Sequence, residues 1–410
     1  MTTAGRVGWQ APLGPPPPVS GLRLAPLTVG PVAVFAQGDV LYGLRLADGH
    51  RLWSRAVSQD IAGMWPWQNL VVVLTEPASS SLPLPVLTGL DASTGQPRWR
   101  LRIGGSVRGS SPTADGGLAI VMWSNLRGDG AAEVVNLSSG RVRWTRPVHS
   151  DAVPPVAVSG GGVLINDGSQ LTSYADRTGH VRWAEALSEP PDDAVWQAST
   201  GLVYLTWAAG LGGGQARQVL LGIGAADGHV RWRAAVRFAY TAPPDSLDPS
   251  APGLISVTTS AYSGGTSQDE LDPATGRVRW RAVSPYPAIA TPPGIVTAPG
   301  PDQISMHDTL TGQTLWTASL TSGWQPLAAR TGLIYQAMPT SRALPVVPVG
   351  PLLTVPEAGP GGSDLLAALS VSDGHLAWQV TLPGPLAAPV SAAVGGMLVY
   401  TVVPGRVMAP

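Results

Sequence analysis

One short pattern recurs eight times in this chain of 410 residues: a glycine followed four places later by a tryptophan. The pairs are Gly49 and Trp53, Gly95 and Trp99, Gly140 and Trp144, Gly179 and Trp183, Gly228 and Trp232, Gly276 and Trp280, Gly312 and Trp316, and Gly374 and Trp378. Asp, Thr or Ser stands before each glycine, and a run of strand-forming residues such as Val40-Leu41-Tyr42 or Leu220-Leu221 comes earlier. The pattern reads as strand, tight turn, strand. A short hairpin loop needs a positive φ, which glycine adopts without a Cβ clash, and Asp or Thr can hydrogen-bond the turn backbone. The tryptophan then falls on the outgoing strand. Burying one indole removes roughly 200 Å² from water, an upper bound of ~5 kcal/mol at ~25 cal/mol/Å².

Repetition overrides the prior of two or three unrelated domains, because each copy is a fragment of one architecture. Successive motif tryptophans stand 36 to 62 residues apart, room for four short strands. That period predicts an all-β chain, an eight-bladed β-propeller of four-stranded antiparallel blades around a central channel. Helices are not expected, since 50 Gly and 41 Pro interrupt nearly every stretch long enough for three helical turns. WD40 repeats fit poorly because Trp-Asp does not end the units, and kelch repeats because their paired glycines are missing. Residues 1–20 carry Gly14-Pro15-Pro16-Pro17-Pro18 and are expected to be a flexible lead-in, leaving 21–410 as a single propeller. After Trp378, the stretches 388–391 and 397–400 read as two more strands. They are expected to pair beside Val32 to Gln37 and clasp the first blade to the last.

Composition excludes several functions. Net charge is -1 and lysine is absent, so a phosphate-backbone footprint is missing and nucleic acid is a poor partner. With no Cys, disulfides, thiolate metal sites, iron-sulfur clusters and covalent haem attachment are ruled out. No run approaches the ~20 apolar residues of a membrane span, and the first thirty residues do not read as a signal peptide.

The stretches Ala92-Ser93-Thr94-Gly95-Gln96-Pro97-Arg98-Trp99 and Pro273-Ala274-Thr275-Gly276-Arg277-Val278-Arg279-Trp280 resemble the tryptophan-docking motif of the PQQ-like β-propeller family. That family includes the quinoprotein alcohol dehydrogenases and the outer-membrane assembly lipoprotein BamB. The resemblance runs from about Val32 to Tyr400 and is closer to the BamB type. It implies an extracytoplasmic, non-catalytic scaffold without a cofactor, acting as a monomer that presents loops to a protein or glycan partner. A quinoprotein oxidoreductase using PQQ and Ca²⁺ is the alternative, and the sensor domain of an anchored receptor a third. An enzyme of that kind needs PQQ on an aromatic floor, Ca²⁺ held by carboxylate and amide oxygens, and an Asp base. No such set can be placed, and the adjacent Cys pair of many of those enzymes is lacking.

The two ends of a blade differ. Turns joining first to second and third to fourth strands share one face, and the glycine turns lie there. Extra length falls on the other face, in expected second-to-third loops at residues 76–85, 124–132, 208–218 and 338–363, where binding on a rigid scaffold usually resides. Seven tryptophans lie outside the motif: Trp9, Trp65, Trp67, Trp123, Trp196, Trp207 and Trp324. Trp67-Gln68, Trp196-Gln197 and Trp324-Gln325 share a pattern and, with Trp65, form the candidate binding patch. They are expected in the loop from the fourth strand to the next first strand or at the start of that first strand, approaching the channel mouth on the variable face. Trp is enriched in binding hot spots, against the plainer reading that these rings pack between blades.

Other chemistry is explained by the period. His50, His180, His229 and His375 each follow a turn glycine and cannot converge on a metal, while His149 and His307 read as surface or packing residues. Arg98, Arg143, Arg182, Arg231 and Arg279 precede motif tryptophans and are expected to point away from the indole, towards neighbouring blades. The acidic pairs Asp192-Asp193 and Asp269-Glu270 would face opposite sides of a strand. Arg127-Gly128-Asp129 and the glycine run 210–214 need no ligand; the latter lacks the Lys and Ser/Thr of a phosphate loop.

Overall fold

The computed structural model describes residues 9, 11, 26–37, 39–77, 84–123, 130–148, 156–158, 161–168, 170–187, 193–197, 201–209, 217–237, 247–248, 255–260, 266–283, 289–291, 294–300, 303–319, 347–349, 352–358, 364–381, 391–392 and 398–399. Among these residues every regular element is a strand. The first sheet comprises Leu27–Val29 (β1), Val32–Gln37 (β2), Val40–Arg45 (β3) and Arg51–Ala56 (β4). The second has Asp60–Trp67 (β5), Leu70–Glu76 (β6), Val86–Asp91 (β7) and Pro97–Arg102 (β8). The third has Ser106–Pro112 (β9), Gly117–Trp123 (β10), Gly130–Asn136 (β11) and Val142–Val148 (β12). The fourth has Val156–Val158 (β13), Gly162–Asp167 (β14), Gln170–Ala175 (β15) and Val181–Ala186 (β16). The fifth has Asp193–Gln197 (β17), Leu202–Ala209 (β18), Arg217–Gly224 (β19) and Val230–Arg237 (β20). The sixth has Leu247–Asp248 (β21), Ile255–Ser260 (β22), Thr266–Leu271 (β23) and Val278–Val283 (β24). The seventh has Ile289–Thr291 (β25), Gly294–Gly300 (β26), Gln303–Asp308 (β27) and Thr314–Ser319 (β28). The eighth has Val347–Val349 (β29), Leu352–Ala358 (β30), Asp364–Ser370 (β31) and Leu376–Thr381 (β32). Ser391–Ala392 (β33) and Leu398–Val399 (β34) form a two-stranded sheet. Each four-stranded sheet takes its strands in chain order, and the described pairings are antiparallel.

Two compact units divide the chain, one of Gly8–Trp207 with Ile223–Val230, the other of Met1–Val7, Ala208–Gly222 and Arg231–Pro410. In the first, apolar alternation explains how sheets stack. Every residue of β6 from Leu70 to Thr75 is buried, because both faces of the strand are covered. Val71 and Val73 pack with Val34, Leu41 and Trp53 of the first sheet, whereas Val72 and Leu74 pack with Leu118 and Ile120 of the third. The next interface repeats the arrangement, with Ala119 and Val121 of β10 against Val163 and Ile165 of β14. Continuous apolar runs are what a strand covered on both faces requires. Fourth strands are the last in their sheets; in β4 Trp53 is buried while Arg51, Ser54 and Ala56 are exposed.

Indoles pin each of the first seven sheets to the following one by a single rule. The ring lies on the glycine of the next third-to-fourth turn, and Nε1 donates to the carbonyl three residues before that glycine. Trp53, Trp99, Trp144 and Trp183 donate to the carbonyls of Ala92, Leu137, Asp176 and Ala225 at 2.8 to 3.1 Å. In the second unit Trp232, Trp280 and Trp316 donate to Pro273, Thr309 and Val371 at 2.7 to 3.0 Å. Close approach explains the glycine: at Gly140, where φ is +67°, a Cβ would run into the Trp99 ring.

A β-bulge precedes the tryptophan in seven of the described registers, so that Gly89 faces Trp99 while Leu90 faces Pro97, leaving Arg98 as the extra residue. Bulges re-aim side chains. Arg98 therefore turns back to Asp91 of its own sheet (2.7 Å), and Arg279 to Asp272, rather than towards a neighbour as strict alternation predicts. Arg143 reaches across, to Asp176 of the fourth sheet at 3.7 Å.

Three expectations change. Val32–Gln37 is β2, with both edges taken by β1 and β3, so it cannot receive the C-terminal strands, which pair with each other. Residues 338–363 are not one loop, because they contain β29 and β30; among the described residues β29 pairs with Leu352–Thr354 of β30 and Pro356 pairs with Leu366 of β31. Trp9, placed by sequence in a flexible lead-in, donates to the Leu46 carbonyl at 2.7 Å and covers Gly49, as the motif tryptophans do in later sheets.

Candidate functional site

Strand β5 carries Trp65 and Trp67, disguised in the sequence by Gly63 and Pro66 and by a register shift between Ile61 and Gly63. Trp67 is its last residue, beside the turn to β6, and not ahead of a first strand as the sequence suggests. Trp196 and Gln197 likewise end β17. These positions lie at the first-to-second turn, on the face of the glycine turns and opposite the variable loops. The Trp67 ring covers Gly116 of the third sheet, and its Nε1 donates to Ser138 Oγ at 2.8 Å. Trp65 is half-buried against the cluster of Val72, Leu74 and Leu118. Gln68 turns the chain with φ at 53°, a left-handed value rare outside glycine. Trp65 and Trp67 thus both have packing partners within their own and the third sheet. Trp324 and Gln325 lie outside the described residues, as do Arg127-Gly128-Asp129 and the glycine run 210–214.

The opposite face holds polar groups that sequence reasoning missed. Between the second and third strands of the second sheet a loop leaves β6 at Glu76 and returns at Leu84. Gln59 Nε2 donates to the Leu84 carbonyl at 3.1 Å, and Thr75 Oγ1 donates to Gln59 Oε1 at 3.0 Å. Gln59 and Thr75 are both buried, so the loop base is held by a satisfied polar pair rather than by solvent. Beside it, Glu76 is half-buried, and burial raises its carboxyl above the ordinary value against an opposing hydrogen bond from the Val107 backbone. Leu84 stands exposed at the loop's return. A lone glutamine ahead of a first strand gives no periodic signal, which is why the sequence did not mark it.

Titratable groups elsewhere serve the scaffold. Asp91 is held well below the carboxylate range, first by the Ser93 hydroxyl, then by the Arg98 guanidinium. Asp269 pairs with Arg281 and Glu270 faces Trp280 across the ladder, on opposite sides of β23. His307 packs on the Trp280 ring (5.7 Å between centroids), with Nε2 against Thr297 Oγ1 at 2.8 Å. Among the described residues no three His, Asp or Glu side chains gather as a metal site. No helix of the described residues is long and apolar enough to cross a membrane.

A family model described as outer membrane protein assembly factor BamB matches residues 85–266 and 300–409. No curated protein sequence matches the chain. Solved structures similar to it include BamB from Moraxella catarrhalis, 15% identical over 94% of this chain and 96% of that one, with a TM-score of 0.47. Another is the computationally designed Ika8 protein, 11% identical over 86% of this chain and 94% of that one, TM-score 0.51, a likeness of fold alone. A quinohemoprotein alcohol dehydrogenase, ADHIIG from Pseudomonas putida HK5, is 12% identical over 93% of this chain and 70% of its own, TM-score 0.45.

Proposed function

The chain belongs to the family of the outer membrane protein assembly factor BamB, and from that premise we propose that it is a non-catalytic propeller that binds a protein partner outside the cytoplasm. In this reading the four-stranded sheets act as its blades. One observation carries the reading: a variable loop is tied at its base by Gln59 and Thr75 to a sheet buried on both faces. A loop held in that way loses little conformational freedom when a partner binds, which is how a rigid scaffold gains affinity. Binding then falls to the loops on this face, and Trp65 and Trp67 support the fold.

Two measurements test this. A photo-crosslinking residue at Leu84 should capture one protein species in the native host, saturably, and lose it when residues 78–83 are replaced by Gly and Ser. The same residue at Val278, exposed on an outermost strand, sets the background, and equal capture at both places overturns the proposal. Saturable binding of PQQ with Ca²⁺, accompanied by dye reduction with alcohols or sugars, would overturn the non-catalytic part.

A further inference from the structure

The chain has no net basic excess, yet its arginines are unevenly placed. Thirteen of the 25 lie on the fourth strands β4, β8, β12, β16, β20 and β24, which together hold one acidic residue, Glu185. The fourth strands β28 and β32 carry no charged residue, so charge is not a general guard on these sheet edges. Several of the arginines are occupied within the fold: Arg55 and Arg146 donate to the carbonyls of Gly95 and Gly179, and Arg281 pairs with Asp269.

Strand β8 differs. It holds three arginines and no acid, and among the described residues it pairs on one side only, with β7. Arg98 is taken by Asp91. Arg100 and Arg102 are exposed, and among the described residues neither guanidinium has an ion pair or a hydrogen bond. Trp99 docks on the third sheet, so alternation turns both guanidiniums to the other side, with their Cα atoms about 7 Å apart. Arg100 lies opposite Thr88 and Arg102 opposite Val86, in the rows of Val73 and Thr75. The second row ends at the loop base, where Thr75 bonds Gln59 and the Ile103 N–H donates to the Pro85 carbonyl at 2.9 Å. Arg102 therefore stands at the end of the sheet where Leu84 is exposed.

We propose that this edge binds an extended acidic segment of the partner, which adds a strand beside β8 and sets carboxylates at alternate positions against Arg100 and Arg102. The inference rests on the loop of this sheet being the place where a protein binds. A paired strand repeats its side chains on one face every second residue, the spacing of the two guanidiniums, and an arginine fork takes a carboxylate through two parallel N–H donors. An open edge favours an extended chain over a sugar or a lipid, because only another backbone completes its row of N–H and C=O groups. The facing strand adds no competing acid: β4, whose Trp53 and Arg55 reach the second sheet, has no carboxylate.

Fluorescence anisotropy on the full chain, with a labelled peptide alternating Glu and Thr, tests the edge. Binding should be saturable, weaken as salt rises, and be about tenfold tighter than for a peptide alternating Gln and Thr. Arg100→Ser with Arg102→Ser should erase that preference, whereas Arg182→Ser, exposed on β16, should not. Equal affinity for the two peptides, or a preference that survives the double change, overturns the proposal. Arg100→Glu with Arg102→Glu keeps the edge charged should the serine variant aggregate. It should prefer a peptide alternating Lys and Thr, and no such exchange overturns the proposal. Competition by dextran sulfate or by phosphatidylglycerol vesicles as strong as by the acidic peptide would place a polyanion or a membrane there, also against it. Crosslinking at Leu84 separates this from the loop reading. Capture that persists in Arg100→Ser with Arg102→Ser sinks the acidic edge alone, and peptide binding without capture at Leu84 sinks the loop reading alone.

Discussion

At the residue scale, the turn glycines and their carboxylates carry the specific chemistry. Gly140→Ala combines a strained positive φ with a Cβ aimed at the Trp99 ring, and should destabilise by about 2 to 4 kcal/mol in urea unfolding. Asp91 gathers the Ser93 and Thr94 hydroxyls, their backbone N–H groups and Arg98. Because its folded pKa lies below the unfolded value of about 3.9, the stabilisation is complete above that pH and lost as pH falls through the folded value. Asp91→Asn should therefore cost about 1 to 3 kcal/mol at neutral pH, with the gap from wild type narrowing below about pH 4. His307 has the same sign for a different reason. Burial lowers its pKa against the opposing Gly312 carbonyl, so the neutral ring's contribution is complete above about pH 6.5 and declines as pH drops. His307→Gln should flatten the stability profile between about pH 7 and pH 5; an unchanged slope would show that another group titrates there.

The element that matters is the third-to-fourth hairpin with its bulge and indole. Trp144 gives both a ring over Gly179 and a hydrogen bond to the Asp176 carbonyl. Trp144→Phe keeps most of the ring and should cost about 1 to 2 kcal/mol through the lost donor, whereas Trp144→Ala opens a cavity and should cost about 3 to 5 kcal/mol. Equal losses for the two would mean that the ring packing contributes little. Bulge geometry also explains why the arginines were misjudged from sequence. Alternation predicts the side of a strand, and an extra residue reverses it locally, so Arg98 and Arg279 cap their own turns. Strand β5 shows the opposite hazard: Gly63 and Pro66 mask an eight-residue strand, and with it the true end at which Trp67 sits.

At the scale of the whole molecule, repetition makes stability a sum of like terms. Each dock involves one sheet and its successor, so changes two sheets apart share no partner. Gly95→Ala and Gly179→Ala lie within the same compact unit and remove the docks of Trp53 and Trp144. Their free-energy losses should add within about 0.5 kcal/mol in equilibrium unfolding. A clear departure from additivity would reveal coupling carried through the intervening third sheet.

Sequence by itself determined the repeat, the all-β character and seven of the tryptophans that dock, because a glycine turn and an indole four residues on are local requirements of one hairpin. It also placed the turns between third and fourth strands, since strand order in an antiparallel meander follows chain order. Only the tertiary structure decided what those indoles touch, that Trp9 belongs with them, that Trp67 is locked onto Gly116 and Ser138, and that Gln59 reaches Leu84. Those contacts join residues 25 to 71 positions apart. Their partners are ordinary carbonyls and hydroxyls that carry no pattern until packing brings them within hydrogen-bond reach.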